Sequence, residues 1–290
     1  MVHRYLLVIL FVFAKFHSFQ GCTINKNKVY LPCREYDLNN PSRVKLSDQL
    51  EEISGISFYP KDSSLFAISD AKENLYKIYW DRTMKIDKWR FDKKAYDFED
   101  VVLHDSTFYI LESSGNIQTL RFSVKGDTIF KSRSLFPADK EKKNEFESIY
   151  YDGEAKQLVM ICKNCATDKR NSVSAWNFDP VSGNYSPSVF SIDVGLIEKK
   201  TGQEDLKFQP SAATVNPFTN DVWILASVNQ LLIVTDRKGK TKAVYTLSPI
   251  IFKQPEGISF TPWGDLLISN EANDKYETST LLIFKPKKRG

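Results

Sequence analysis

Short apolar runs separated by turns of Asp, Asn, Gly, Ser and Pro recur along the whole chain. No window keeps apolar residues at i, i+3, i+4 and i+7 for three turns, so the pattern predicts strands rather than long helices. Five copies of one phrase organise it: Ser54-Gly55-Ile56-Ser57-Phe58, Glu99-Asp100-Val101-Val102-Leu103, Glu147-Ser148-Ile149-Tyr150-Tyr151, Ser211-Ala212-Ala213-Thr214-Val215 and Glu256-Gly257-Ile258-Ser259-Phe260. Each is a small or acidic residue entering an apolar strand. A second apolar strand follows at Leu65–Ser69, Phe108–Glu112, Leu158–Cys162, Val222–Ala226 and Leu266–Ser269. The copies begin at residues 54, 99, 147, 211 and 256, giving intervals of 45, 48, 64 and 45. A β-propeller blade takes about 40–50 residues. The chain therefore predicts an all-β, five-bladed propeller with one insertion, between the third and fourth copies.

The first repeat shows a whole blade: Gly55–Tyr59, Leu65–Ser69, Leu75–Trp80 and about Met84–Phe91, with turns between. The last repeat is one strand short, because only a basic tail follows Leu281–Phe284. The missing outer strand is expected from Glu35–Leu38, joined to Ser54 by a polar linker from Asn39 to Leu50. Closing the ring in this way removes two free sheet edges.

Composition adds a compartment more than a chemistry. The 290 residues are 42% hydrophobic and 13% aromatic, enough for a full core. The formal net charge is only +4, and the basic tail (Lys287 to residue 290) lacks the aromatic-interleaved stripe of a nucleic-acid binder. At the other end, His3 and Arg4 precede nine apolar residues, Leu6–Ala14, and then Gly21-Cys22. That is the layout of a secretory leader over residues 1–21, and its apolar core is too short to cross a bilayer. Two outcomes fit: simple cleavage near Cys22, or lipid attachment to Cys22, since Ser18-Phe19-Gln20-Gly21-Cys22 resembles a loose lipobox. A lipid-bearing Cys22 would tether the propeller (residues 35–286) to a membrane of the cell envelope through residues 22–34. Cys33 stays unassigned. Cys162-Lys163-Asn164-Cys165 ends a strand rather than opening a helix, which favours a structural pair over a redox or zinc motif.

Candidate chemistry lies at one mouth of the channel. In a four-stranded antiparallel blade, the start of the innermost strand and the end of the second meet at the same edge. That pairs Ser54 with Asp70, Glu99 with Glu112, Glu147 with Lys163, Ser211 with Ser227, and Glu256 with Glu271, with Asn270 adjoining the last. Clustered carboxylates repel one another and resist desolvation. Either the mouth is a hydrated acidic rim, or a hard cation such as Ca²⁺ or Mg²⁺ holds the acids together. The expected ligands are Glu99, Glu147, Glu256, Glu271 and Glu112, with Ser54, Asp70, Lys163, Ser211, Ser227 and Asn270 as ligand-binding neighbours. Nucleophilic catalysis has little support. No G-x-S-x-G elbow, P-loop or dinucleotide fingerprint occurs, and His104, the one histidine outside the leader, falls in a turn.

The phrases Ile53-Ser54-Gly55-Ile56, Phe98-Glu99-Asp100-Val101, Phe146-Glu147-Ser148-Ile149, Gln209-Pro210-Ser211-Ala212 and Gln254-Pro255-Glu256-Gly257-Ile258 resemble those of the SdiA-regulated family. The resemblance runs from about residue 35 to 285, and the stretch through Gly264-Asp265-Leu266 to Asn270-Glu271 is its most specific part. It implies exported or membrane-anchored bacterial proteins, a five-bladed propeller distantly similar to NHL-repeat propellers, and a Ca²⁺ site. The family has no established catalytic activity, so the resemblance implies a fold more than a function. The expectation is a monomeric envelope binding module with a small ligand or envelope protein as partner. A metal-dependent hydrolase of lactones or phosphoesters is the alternative.

Overall fold

The computed structural model describes residues 32–70, 72–80, 84–91, 96–122, 129–137, 143–272 and 277–287. The leader, Cys22 and most of the tether and tail lie outside these residues. Among these residues twenty strands form five four-stranded antiparallel sheets. Blade one is β2 (Ile53–Tyr59), β3 (Ser64–Ser69), β4 (Lys72–Ile78) and β5 (Ile86–Arg90); blade two is β6 (Phe98–His104), β7 (Thr107–Glu112), β8 (Ile117–Phe122) and β9 (Ile129–Ser134). Blade three is β10 (Asn144–Asp152), β11 (Gln157–Cys165), β12 (Ser172–Phe178) and β13 (Tyr185–Asp193). Blade four is β14 (Ala212–Val215), β15 (Val222–Ala226), β16 (Leu231–Thr235) and β17 (Thr241–Thr246). Blade five is β18 (Pro255–Phe260), β19 (Leu266–Asn270), β20 (Thr280–Phe284) and β1 (Ser42–Lys45).

The sequence places the ring closure correctly but the closing strand too early. Ser42–Lys45, not Glu35–Leu38, pairs antiparallel with β20, in register from Ser42 opposite Ile283 to Lys45 opposite Thr280. The earlier segment forms only one ladder bridge among the described residues, Tyr36 with Pro286 just after β20. Tyr36 is instead a plug. It is buried, its ring lies edge-on to Trp223 at 5.4 Å, and its hydroxyl donates to the Gly264 carbonyl at 2.6 Å. Which backbone stretch completes a sheet edge is a non-local choice. An aromatic side chain beside the edge competes for the same segment, and here burial of the ring between blades four and five wins.

Apolar residues alternate on both faces of the blades, because each sheet packs against two neighbours. Leu111, Ile149, Ile161, Ile224 and Ile268 are all fully shielded. The long third interval holds the single α-helix among the described residues, α1 (Val194–Thr201), capped by the Asp193 carboxylate and buried through Val194 and Ile197. The Cys162–Cys165 pair is a disulfide, and Cys33 is a buried free thiol.

The inner strands β2, β6, β10, β14 and β18 contact one another in ring order. Side chains stitch them together. Asp100 is buried and accepts from its neighbour's amide, Val101 N (2.8 Å), and from Ile149 N of the next blade (3.0 Å). The Ser259 and Ser57 hydroxyls accept from Phe58 N and Leu103 N. The approach is close enough to require glycine. A Cβ on Gly55 would lie 2.6 Å from Val101 N, and one on Gly257 2.6 Å from the Ser54 carbonyl oxygen.

Candidate functional site

Each inner hairpin carries a β-bulge or its equivalent at the same mouth, and the bulge sets the site. Ladder pairs skip Glu99 between Phe98 and Asp100, Glu147 between Phe146 and Ser148, and Glu256 between Pro255 and Gly257. In blade one the pairing jumps from Ile53 to Ile56, passing Ser54 and Gly55. Ser211 holds the matching place directly before β14, its amide donating to the Leu225 carbonyl. An extra residue breaks the two-residue alternation of side chains and re-aims its own. Here all five point at one cavity of about 380 Å³, lined by Ser54, Glu99, Glu147, Ser211 and Glu256.

A second tier comes from the second strands, from the residue just past the strand end in blades one, four and five and from a bulge within β11 in blade three. Asp70, Lys163, Ser227 and Glu271 line the same cup. In blade two the equivalent is Ser113, whose hydroxyl hydrogen-bonds Glu99. The third tier lies two residues before each bulge. Asp97, Glu145, Gln209 and Gln254 line the cup, and Glu52, in the same place in blade one, adds its charge to the field at Glu271. Sequence reading missed this tier, although the spacing was visible as Asp97-Phe98-Glu99, Glu145-Phe146-Glu147, Gln209-Pro210-Ser211 and Gln254-Pro255-Glu256.

Two expected site residues are placed elsewhere. Glu112 pairs in the ladder with Phe98, one position before the second tier, so it faces the opposite side of its sheet. It is buried, accepting from Arg133 Nε (2.7 Å), Asn116 Nδ2 (2.8 Å) and Gln118 Nε2 (3.0 Å). Burial alone would raise its pKa, but the Arg133 guanidinium and the two amides outweigh that and hold it below the ordinary carboxylate value. Asn270 pairs with Pro255 in the same off-by-one position, its amide donating to the Ile251 carbonyl and the Thr280 hydroxyl. His104 lies at the other mouth, stacked on Tyr151 at 3.5 Å and 3.2 Å from the Asp105 carboxylate.

The cup is strongly anionic. Among its lining residues Asp70, Asp97, Glu99, Glu145, Glu147, Glu256 and Glu271 carry carboxylates, and Lys163 alone is cationic. Lys163 is bound to Glu147. Burial, then the nearby Asp97 charge, pushes Glu99 up to about 8. Burial pushes Glu256 up to about 7, against the Ser227 hydroxyl and Lys163. Glu271 also rises to about 7, from burial and the charges of Glu256 and Asp70. Its carboxylate accepts from the Gln254 side-chain amide. The cup thus holds more negative charge than its own cation offsets. Its donors are carboxylate, hydroxyl and amide oxygens, the set that suits a hard divalent cation and not a soft one. The apolar cavity at the other mouth, lined by residues such as Val101, Tyr151, Ala213 and Ile258, shares no lining residue with the cup. The Cys162, Cys165 and Asp168 group offers no thiolate ligands, because both sulfurs are in the disulfide.

Solved structures with this architecture differ widely in sequence. The glutaminyl cyclase of Myxococcus xanthus superposes with a TM-score of 0.57 at 10% identity, covering 85% of this chain and 94% of its own. The PQQ-bound aldose sugar dehydrogenase of Streptomyces coelicolor gives 0.52 at 9% identity, covering 89% and 100%. A protein of unknown function from Bacteroides thetaiotaomicron gives 0.51 at 7% identity, covering 85% and 72%. At such identities the likeness is one of fold alone. No curated protein sequence matches the chain. A profile of the SdiA-regulated family matches residues 32–279, and the chain belongs to that family.

Proposed function

We propose that the protein is an exported binding propeller of the bacterial cell envelope whose acidic cup holds a divalent cation, Ca²⁺ by preference. The observation that carries this reading is the ring of bulges. Three blades spend a structural irregularity on aiming a glutamate at one cavity, and burial there raises the pKa of Glu99 and Glu256. Such an arrangement is unfavourable without a counter-charge, and a cation that displaces the protons relieves it. Glu99, Glu147, Glu256 and Glu271 would close on the ion from the wall of the cup, where among the described residues no three of their carboxylates lie within 4.8 Å of one another, with Ser227 and Gln254 as neutral donors. When bound, the ion supplies positive charge for an anionic or carbonyl-bearing ligand. The residues around it fix the acids in place and limit the entry of water.

The leader (residues 1–21) and Cys22 support export and attachment by lipid at a membrane surface, with a soluble exported form as the alternative. No helix among the described residues is long and apolar enough to cross a membrane. A second reading rests on Glu99 and Glu256 having pKa values near neutral, where a carboxyl can take up and return a proton. Such a cup could serve a metal-dependent hydrolase of lactones or phosphoesters. The lone Lys163 is a poor complement to a phosphate, which favours binding over phosphatase chemistry.

Calorimetry of Ca²⁺ binding to the chain beginning at residue 23 tests the proposal, comparing wild type with Glu147→Gln/Glu256→Gln. Micromolar binding that the double variant loses is the expected result. Absence of heat in the wild type, with no calcium-dependent rise in Tm, overturns it. Turnover of a lactone or phosphoester panel with Ca²⁺, abolished in Glu99→Gln, would select the hydrolase reading.

A further inference from the structure

Blade three differs from the others at the cup. Its first two strands, β10 and β11, are nine residues each, whereas the second strands of the other blades have five or six. The extra length carries the inner hairpin past the rim and brings Lys163 with it. Lys163 is itself a bulge residue. The ladder pairs Cys162 with Phe146 and Asn164 with Glu145, leaving Lys163 without a partner opposite. The disulfide brackets this bulge. Residues three apart in an extended strand are about 10 Å apart, but the Cα atoms of Cys162 and Cys165 are 5.7 Å apart. The strand is folded back at the point where the ammonium turns to Glu147.

We infer that the Cys162–Cys165 disulfide is a positioning element that holds Lys163 in the cup as a built-in counter-cation, and that its reduction makes the cup a stronger cation site. A dithiol reductant supplies two electrons and two protons. The S–S bond breaks, two S–H bonds form, and the reductant becomes a disulfide. The strand is then free to lose its bulge and pair Lys163 with Glu145. Residues directly opposite in a ladder share one face, so Lys163 then lies beside Glu145 at the rim of the cup. Lys163 leaves Glu147, and that carboxylate turns to the ion. This inference rests on the cation reading proposed above, but the position of Lys163 can be tested without it.

The experiment measures Ca²⁺ affinity of the full mature chain with and without dithiothreitol, beside Cys162→Ser/Cys165→Ser and Lys163→Gln. The serine variant is included because freed thiols beside Asp168 offer soft-metal ligands of their own. Freeing one carboxylate from its ammonium partner to face a divalent ion a few ångströms away at a protein surface is worth at least about tenfold in affinity. Reduction and the serine variant should each tighten binding by about that factor. Lys163→Gln should bind tightly in both redox states, with no further change on reduction. An affinity unchanged within twofold on reduction, or a redox effect that persists in Lys163→Gln, overturns the inference. If the oxidised and reduced proteins both bind no Ca²⁺, the cation reading fails and lysine side-chain ¹⁵N NMR decides this one. A paired, slowly exchanging Lys163 ammonium in the oxidised protein that is lost on reduction upholds it; identical spectra overturn it. Should the serine variant fail to fold, wild-type protein reduced in place, with its strand content followed by circular dichroism, gives the same answer.

Discussion

Replacing Glu256 by Gln should stabilise the cation-free protein, an unusual outcome for removing a charged group from a binding site. In the folded protein burial raises the Glu256 carboxyl from 4.5 to about 7. In the unfolded chain it titrates near its ordinary value. The unfolded state therefore gives up its proton first as pH rises, and unfolding becomes easier between about pH 4.5 and 7. Below that window the group is protonated in both states and costs nothing. Above it the cost is complete. A shift of this size corresponds to about 3 kcal/mol, and the open mouth of the cup screens it to about 2 kcal/mol. The amide keeps the size and the hydrogen-bonding ability of the acid without its charge. Urea unfolding in EDTA should show Glu256→Gln about 2 kcal/mol more stable than wild type at pH 8 and equal to it near pH 4. Its Tm at pH 8 should be roughly 4–8 °C higher. Calcium should reverse the order at pH 8, because a ligand at 100 times its Kd adds about 2.7 kcal/mol to the form that binds it. A variant no more stable at pH 8, or one with the same advantage at both pH values, would refute the reasoning.

Other perturbations separate the scaffold from the cup. Glu112→Gln should leave calcium affinity within twofold while lowering stability by about 1.5–3 kcal/mol, since the buried acceptor of Arg133, Asn116 and Gln118 loses its charge; calorimetry and unfolding on one sample check both. Asp100→Ala leaves the Val101 and Ile149 amides without an acceptor, which should cost about 3–5 kcal/mol and speed hydrogen exchange at Ile149. Tyr36→Ala empties the space beside Trp223 and Phe260 and should lower stability by about 3–5 kcal/mol in thermal unfolding.

The sequence was most readable where one residue decides one thing. The repeat period and the alternation of apolar positions located the first two strands of every blade and all four strands of the first. They also showed that the fifth blade had to borrow a strand from the N-terminal side. They put the first residue of each phrase at a common mouth, because antiparallel hairpins leave no other place for it. Ser54, Glu99, Glu147, Ser211 and Glu256 are together in the structure for that reason. The residues misplaced by sequence reading share one cause. Glu112 and Asn270 precede the cup positions by one residue, and one residue is the whole difference between the two faces of a strand.

What the chain fixed by itself is therefore the order of strands, the number of blades and the end of the ring where acids gather, all set by local periodicity. The tertiary structure decided the rest. Bulges break periodicity, and they are stable only because neighbouring inner strands hold them, through Asp100 and the close approaches at Gly55 and Gly257. The closing strand depends on competition between Ser42–Lys45 and the Tyr36 segment for one sheet edge. The raised pKa values of Glu99, Glu256 and Glu271 arise from residues far apart in sequence burying one another. Burial and Coulomb repulsion depend on distances in space, which the folded ring alone sets.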